Sequence, residues 1–153
     1  MHSKVLYKTK NMVNNKENTN AFLTHISSFA GYLFPLGGII TPLILWQTLK
    51  NRSPFLDSHG KEAVNFNISY SLYVFVLVIF AIPFGVSTFF DVFNGIDISI
   101  NENTNFSNFF GYLGITLCIA LIMIFRFVLI IIAAIKANMG ESFQYPFTIK
   151  FIK

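Results

Sequence analysis

Phe109–Ile135 reads FFGYLGITLCIALIMIFRFVLIIIAAI, an unbroken apolar run apart from one charge, Arg126. A helix needs about 20 apolar residues to cross a hydrocarbon core about 30 Å thick, so this stretch is long enough to span a bilayer. A second stretch, Val64–Phe90, VNFNISYSLYVFVLVIFAIPFGVSTFF, is equally long and carries no charge. Two such runs in 153 residues predict a polytopic helical membrane protein, all-α in class.

Composition points the same way. Hydrophobic residues make up 54% of the chain, charged residues 12%, and the mean hydropathy is +0.58, outside the range of an ordinary soluble domain. A basic pI near 9.3 raises nucleic acid as a partner. However, ten of the eleven Lys and Arg residues flank the apolar segments, and positive-inside topology accounts for them without a nucleic-acid surface. The lone cysteine, Cys118, lies within an apolar run, so no intrachain disulfide is expected. The first twenty residues are rich in Lys and Asn and do not read as a cleavable signal peptide.

Charge sets an expected topology. Asp91–Asn108 carries three acidic residues, no Lys or Arg, and an Asn94-Gly95 turn, which places it outside. Lys50, Arg52 and Lys61 before one span, and Lys136, Lys150 and Lys153 after the other, belong inside. Lys4, Lys8, Lys10 and Lys16 put the N-terminal segment on the same, cytoplasmic side. The first apolar region, Ala21–Leu49, must then return to the side it left. Pro35, Gly37 and Gly38 interrupt it, since proline removes a donor and glycine raises the entropic cost of helix. A short broken or re-entrant hairpin is therefore expected, giving four helical segments; the alternative is one kinked span. The domain expectation is a polar, flexible tail over 1–20, a helical membrane domain over 21–138, and an interfacial tail over 139–153. In that last segment Phe143, Tyr145, Phe147, Ile149 and Phe151 alternate with polar residues, as in an extended segment, and aromatics beside Lys suit the headgroup layer.

Polar residues concentrate where the second apolar stretch begins: SPFLDSHGKEAVNFNIS, 53–69, holds Asp57, His59, Glu62, Asn65 and Ser69. At about 100° per residue Glu62, Asn65, Ser69 and Tyr73 share one face, with Val64 off it. Such a stripe either lines a pathway or makes interhelical hydrogen bonds. His59 and Glu62 stand at a spacing that suits two metal ligands, with His25 and Asp57 the only further candidates, but no dedicated metal spacing is present. No catalytic motif appears, and no enzyme, metal or cofactor is expected. Arg126 precedes Lys136 by ten residues, about 15 Å along a helix, which sets it near the midplane. An unpaired charge there is costly, so Arg126 is expected against protein. Candidate partners are carbonyls freed at the Leu33–Gly38 break, Ser28, Asn67 or Tyr73; an anion or an inter-subunit ion pair is the functional alternative.

The order HISSFAGYLFPLGGIITPLILWQTLK, SPFLDSHGKEAVNFNIS and AIKANMGESFQYPFTIKFIK resembles a family of small bacterial membrane proteins without an agreed activity. That family is distantly similar to the twenty-kilodalton Tic component of the chloroplast inner-envelope import machinery. The resemblance covers about residues 21–153 and implies four helical membrane segments with both ends on one side. The function expected is a non-enzymatic subunit or accessory factor of a membrane complex in the bacterial inner membrane, linked to protein translocation or insertion. The alternative is a small oligomeric carrier or channel. The expected partners are the lipid bilayer and either a membrane protein or further copies of the chain.

Overall fold

The computed structural model describes residues 2–34, 36–93 and 102–153. Among them the fold is all-helical, without strands: α1 (His2–Ile26) runs into a 3-10 helix (Ser27–Tyr32), followed by α2 (Gly37–Leu49), α3 (Pro54–Phe93) and α4 (Glu102–Asn138). Segments Pro54–Pro83 and Leu113–Asn138 are long and apolar enough to cross a membrane. Only 17% and 28% of their apolar windows are buried within the chain, so most of that surface needs a non-aqueous environment supplied from outside it. The chain is a membrane protein of four helical segments.

The boundaries differ in detail from the sequence expectation. Helix runs through the polarity change at residue 20, because Lys, Glu and Asn interrupt hydrophobicity without breaking helix. α3 and α4 extend three and seven residues into the acidic connection expected over 91–108. The Asn94-Gly95 turn lies outside the described residues, as does Pro35.

The chain divides into two units, residues 1–70 with 126–153, and residues 71–125. In the first, α1 and α2 form the hairpin expected of the broken apolar region. The hydroxyl of Thr41 lies 2.6 Å from the carbonyl of Ser27, and Ala21 packs in one cluster with Leu49, so the two arms run antiparallel. The break is not at the glycine pair. Gly37 and Gly38 already belong to α2, and the chain reverses at Leu36, whose φ of 62° is left-handed. Both glycines are instead places of close approach. A Cβ on Gly37 would overlap the Ala30 carbonyl, and one on Gly38 would overlap the Arg126 guanidinium.

Two apolar clusters hold this unit: Ala21, Leu49, Leu56 and Ala137, and Phe66, Leu129, Ile130, Ala133 and Tyr145 with Phe29 and Phe143 against them. The C-terminal segment thus supplies core. Its aromatics do not share one environment, contrary to the alternation: Tyr145 is 5% exposed, whereas Phe147 is 80% exposed. The reason is backbone geometry, since Phe147 follows Pro146 with a left-handed φ of 57° and the extended period stops there.

In the second unit, α3 and α4 residues border an apolar groove of about 390 Å³ lined by Leu77, Phe80, Phe110, Gly111, Gly114, Ile115 and Cys118. Phe75, Phe80, Leu121 and Ile124 are each more than 60% exposed, as suits a lipid-facing surface.

Candidate functional site

The polar residues of the first unit converge in three linked places. The first is Arg126, 5% exposed in α4. Its Nη2 donates to the carbonyl of Ser28 and to Oδ1 of Asn67, both at 2.9 Å. Asn67 in turn donates to Oγ of Ser28 and to the carbonyl of Ala63, each at 2.7 Å. The rings of Tyr70 and Tyr32 flank the guanidinium at 4.4 and 5.0 Å. Gly31 and Gly38 leave the slot it occupies, for a side chain at either would meet Nη2. The acceptor carbonyl belongs to Ser28, in the 3-10 segment, rather than to Leu33–Gly38. A 3-10 helix leaves its carbonyls tilted outward and less well bonded than an α-helix does, which suits an external donor. Nε of Arg126 is buried without a hydrogen bond.

The second place is the stripe on α3. Glu62, Asn65 and Ser69 are 8%, 2% and 1% exposed, and their partners come from the C-terminal segment rather than from another helix. The Tyr145 N–H donates to Oε2 of Glu62 at 3.3 Å. The Ile149 N–H donates to Oγ of Ser69 at 2.9 Å. Asn65 bonds Ile152 twice, accepting from its N–H and donating to its carbonyl, both at 2.9 Å. A non-helical backbone within an apolar setting leaves N–H and C=O groups that α3 side chains here satisfy. Residues 62–67 are all buried, so Val64, at 0% exposure, is core and not an outward position. Tyr73 belongs to the second unit and is 39% exposed.

The third place joins the block 53–62 to α1 and α2. His59 Nδ1 lies 2.8 Å from His25 Nε2, and His25 Nδ1 lies 2.9 Å from the Tyr145 hydroxyl. A chain of this kind needs one proton per contact. If Tyr145 donates to His25 and His25 to His59, the remaining proton sits on His59 Nε2, which is buried and meets no acceptor at good hydrogen-bond geometry among the described residues. Burial pushes the Tyr145 hydroxyl well above its ordinary pKa, and the neighbouring Glu62 charge adds to this. Asp57 accepts from Trp46 Nε1 at 2.8 Å and pairs with Lys61 at 2.7 Å. Gly60 presses on the same indole, and a Cβ there would overlap it.

His59 and Glu62 therefore serve different partners, one in the imidazole pair and one on the tail backbone, and do not converge as a ligand pair. Among the described residues no group of three or more His, Cys, Asp or Glu is placed to hold a metal ion. Sequence reasoning singled out Asp57, His59, Glu62, Asn65, Ser69 and Arg126, and all lie in this network. It missed Gly31, Trp46, Tyr70 and Tyr145. Only Trp46 carried a signal, as a lone indole near a polar flank, where its N–H needs an acceptor.

The sequence profile of the magnetosome magnetite crystal formation protein family matches residues 16–152. No curated protein and no solved structure matches the chain. The match overturns the resemblance to the chloroplast-import relatives, which rested on the order of three sequence stretches. The chain belongs to the magnetosome magnetite crystal formation protein family.

Proposed function

We propose, from membership of that family, that the chain acts in magnetite crystal formation as a non-enzymatic membrane subunit or accessory factor. One observation carries this reading: the buried side chains of Arg126, Asn67, Glu62, Asn65 and Ser69 make hydrogen bonds with one another and with the chain's own backbone. Arg126 bonds Ser28 and Asn67, and the C-terminal segment covers Glu62, Asn65 and Ser69. Such groups fix a shape. A carrier would need them turned toward a pathway. The chain's contribution is then the form and surface it gives a membrane assembly, in contact with lipid and with a membrane-protein partner or further copies of itself. The 3.1 Å bond from Asn18 to the Asn138 carbonyl supports a topology with both ends on one side, and the Lys and Arg residues of those flanks favour the cytoplasmic side.

Deletion in a magnetite-forming host, with crystals counted and sized by electron microscopy, tests the role. Fewer, smaller or misshapen crystals, restored by the parent and not by Arg126→Leu, are expected; unchanged crystals sink the proposal. Purification in mild detergent is expected to retain partners or a homo-oligomer. Solute flux through the pure protein in liposomes would favour the carrier instead.

A further inference from the structure

At one end of the first unit, Asn15, Lys16, Thr19, Asn20 and Arg52 line an open groove of about 420 Å³. Its size falls within the range of about 300–1,000 Å³ found for small-ligand sites. No carboxylate lines it. Among the described residues, Lys61 pairs with Asp57, Lys136 with Glu141, and Lys50 lies over the Trp46 ring. Lys16 and Arg52 make no ion pair among the described residues. Thr19 has committed its hydroxyl proton to the Asn15 carbonyl, so the donors facing the groove are two cations and the amides of Asn15 and Asn20. Cations with neutral N–H donors and no acid form a set that suits phosphate oxygens.

Position narrows the source of that phosphate. Leu23, one helical turn beyond Thr19, is 47% exposed, and Ile44 on α2 is 56% exposed. Lys50 and Arg52 follow directly on the end of α2 at Leu49, so charge succeeds that apolar surface. The groove thus opens where an apolar surface gives way to a polar one, a place that in a membrane protein suits the headgroup layer. We propose that it binds the phosphate of an anionic phospholipid, between Lys16 and Arg52, with the acyl chains along the apolar surface below.

The test uses the full chain, with phosphatidylglycerol, phosphatidylcholine and inorganic phosphate as probes. Retained lipid is read by native mass spectrometry and affinity by thermal titration. Lys16→Gln and Arg52→Gln are each expected to weaken phosphatidylglycerol binding roughly fivefold, and the double variant roughly 25-fold, from the usual contribution of one basic residue near an anionic surface. Lys150→Gln removes the same charge elsewhere and should stay within about twofold of the parent. Both groove residues are exposed, so the variants should melt like the parent without lipid. Equal weakening by Lys150→Gln, or no weakening in the double variant, overturns the site. Stabilisation by inorganic phosphate alone, with no lipid retained, would make this a free-phosphate site and overturn the lipid assignment.

Discussion

Asn65 holds Ile152 as a neighbouring strand would, one amide giving and taking a hydrogen bond at 2.9 Å in each direction across 87 residues. A helix side chain thereby supplies the ladder that an isolated extended segment lacks. Asn65→Leu should strand two backbone groups of the tail and lower stability by about 1–3 kcal/mol. Limited proteolysis should then cut within 146–153 sooner than in the parent. Unchanged cleavage would mean that the tail is held by Tyr145 and Ser69 alone.

Arg126 should tolerate neither Lys nor Leu. Lysine cannot reach Ser28 and Asn67 while lying flat between two tyrosines. Leucine leaves Oδ1 of Asn67 unpaired, at about 1–3 kcal/mol. The informative measurement is the cycle with Asn67→Leu. Removing both partners should cost less than the sum of the single losses, because neither member of the Arg126–Asn67 bond is then left buried without the other. Additive losses in detergent melts would show that the bond contributes nothing.

How much of this was legible follows from what each residue depends on. The spans followed from length and hydropathy, because rise per residue is fixed, and the burial of Arg126 against protein from the cost of a charge in an apolar run. The hairpin followed from charge parity. The partner of the Glu62–Asn65–Ser69 stripe did not, because periodicity shows that a face is polar without saying what meets it. Tyr145 looked like one aromatic in an alternating row; the left-handed turn at Phe147 that separates it from Phe151 has no strong sequence signal. Gly31 was silent for a similar reason, its role being set by an arginine 95 positions away.

Leu36 is a left-handed leucine, 63% exposed, at the reversal of the hairpin. Glycine adopts this conformation without the Cβ clash, which costs about 1–2 kcal/mol, though part of that gain is lost to a freer unfolded chain. Leu36→Gly should raise the melting temperature slightly or leave it unchanged, whereas Leu36→Val should lower it. A fall with glycine larger than with valine would show that the side chain contributes more through contact than it costs in strain.

Gly60 and Asp57 meet one indole, the first by leaving room for the ring and the second by accepting its N–H. Gly60→Val should force Trp46 aside and cost about 1–3 kcal/mol, the usual penalty of overpacking. Trp46→Leu should recover part of that loss, since a smaller side chain vacates the space, while leaving the Asp57 acceptor to Lys61 and water. If the double variant is as unstable as the two single losses combined, the overlap is relieved by backbone movement and not by the ring.

Tyr145 gives the fold a sensitivity to alkali. Its hydroxyl is buried against His25, its pKa raised first by desolvation and then by the Glu62 charge. An unfolded tyrosine releases its proton near pH 10, while the folded one keeps it beyond that. The stability contributed by the neutral, buried phenol is therefore complete below about pH 10 and is lost progressively as pH rises from there toward the folded value. Melting temperature should fall across that range, with phenolate absorbance appearing only as the tail releases. Tyr145→Phe loses the His25 hydrogen bond, about 1 kcal/mol at neutral pH, and keeps the ring stacked on Phe66 at 4.0 Å. Its melting curve should fall less steeply with alkali than that of the parent. Equal slopes would show that this phenol does not set the alkaline limit.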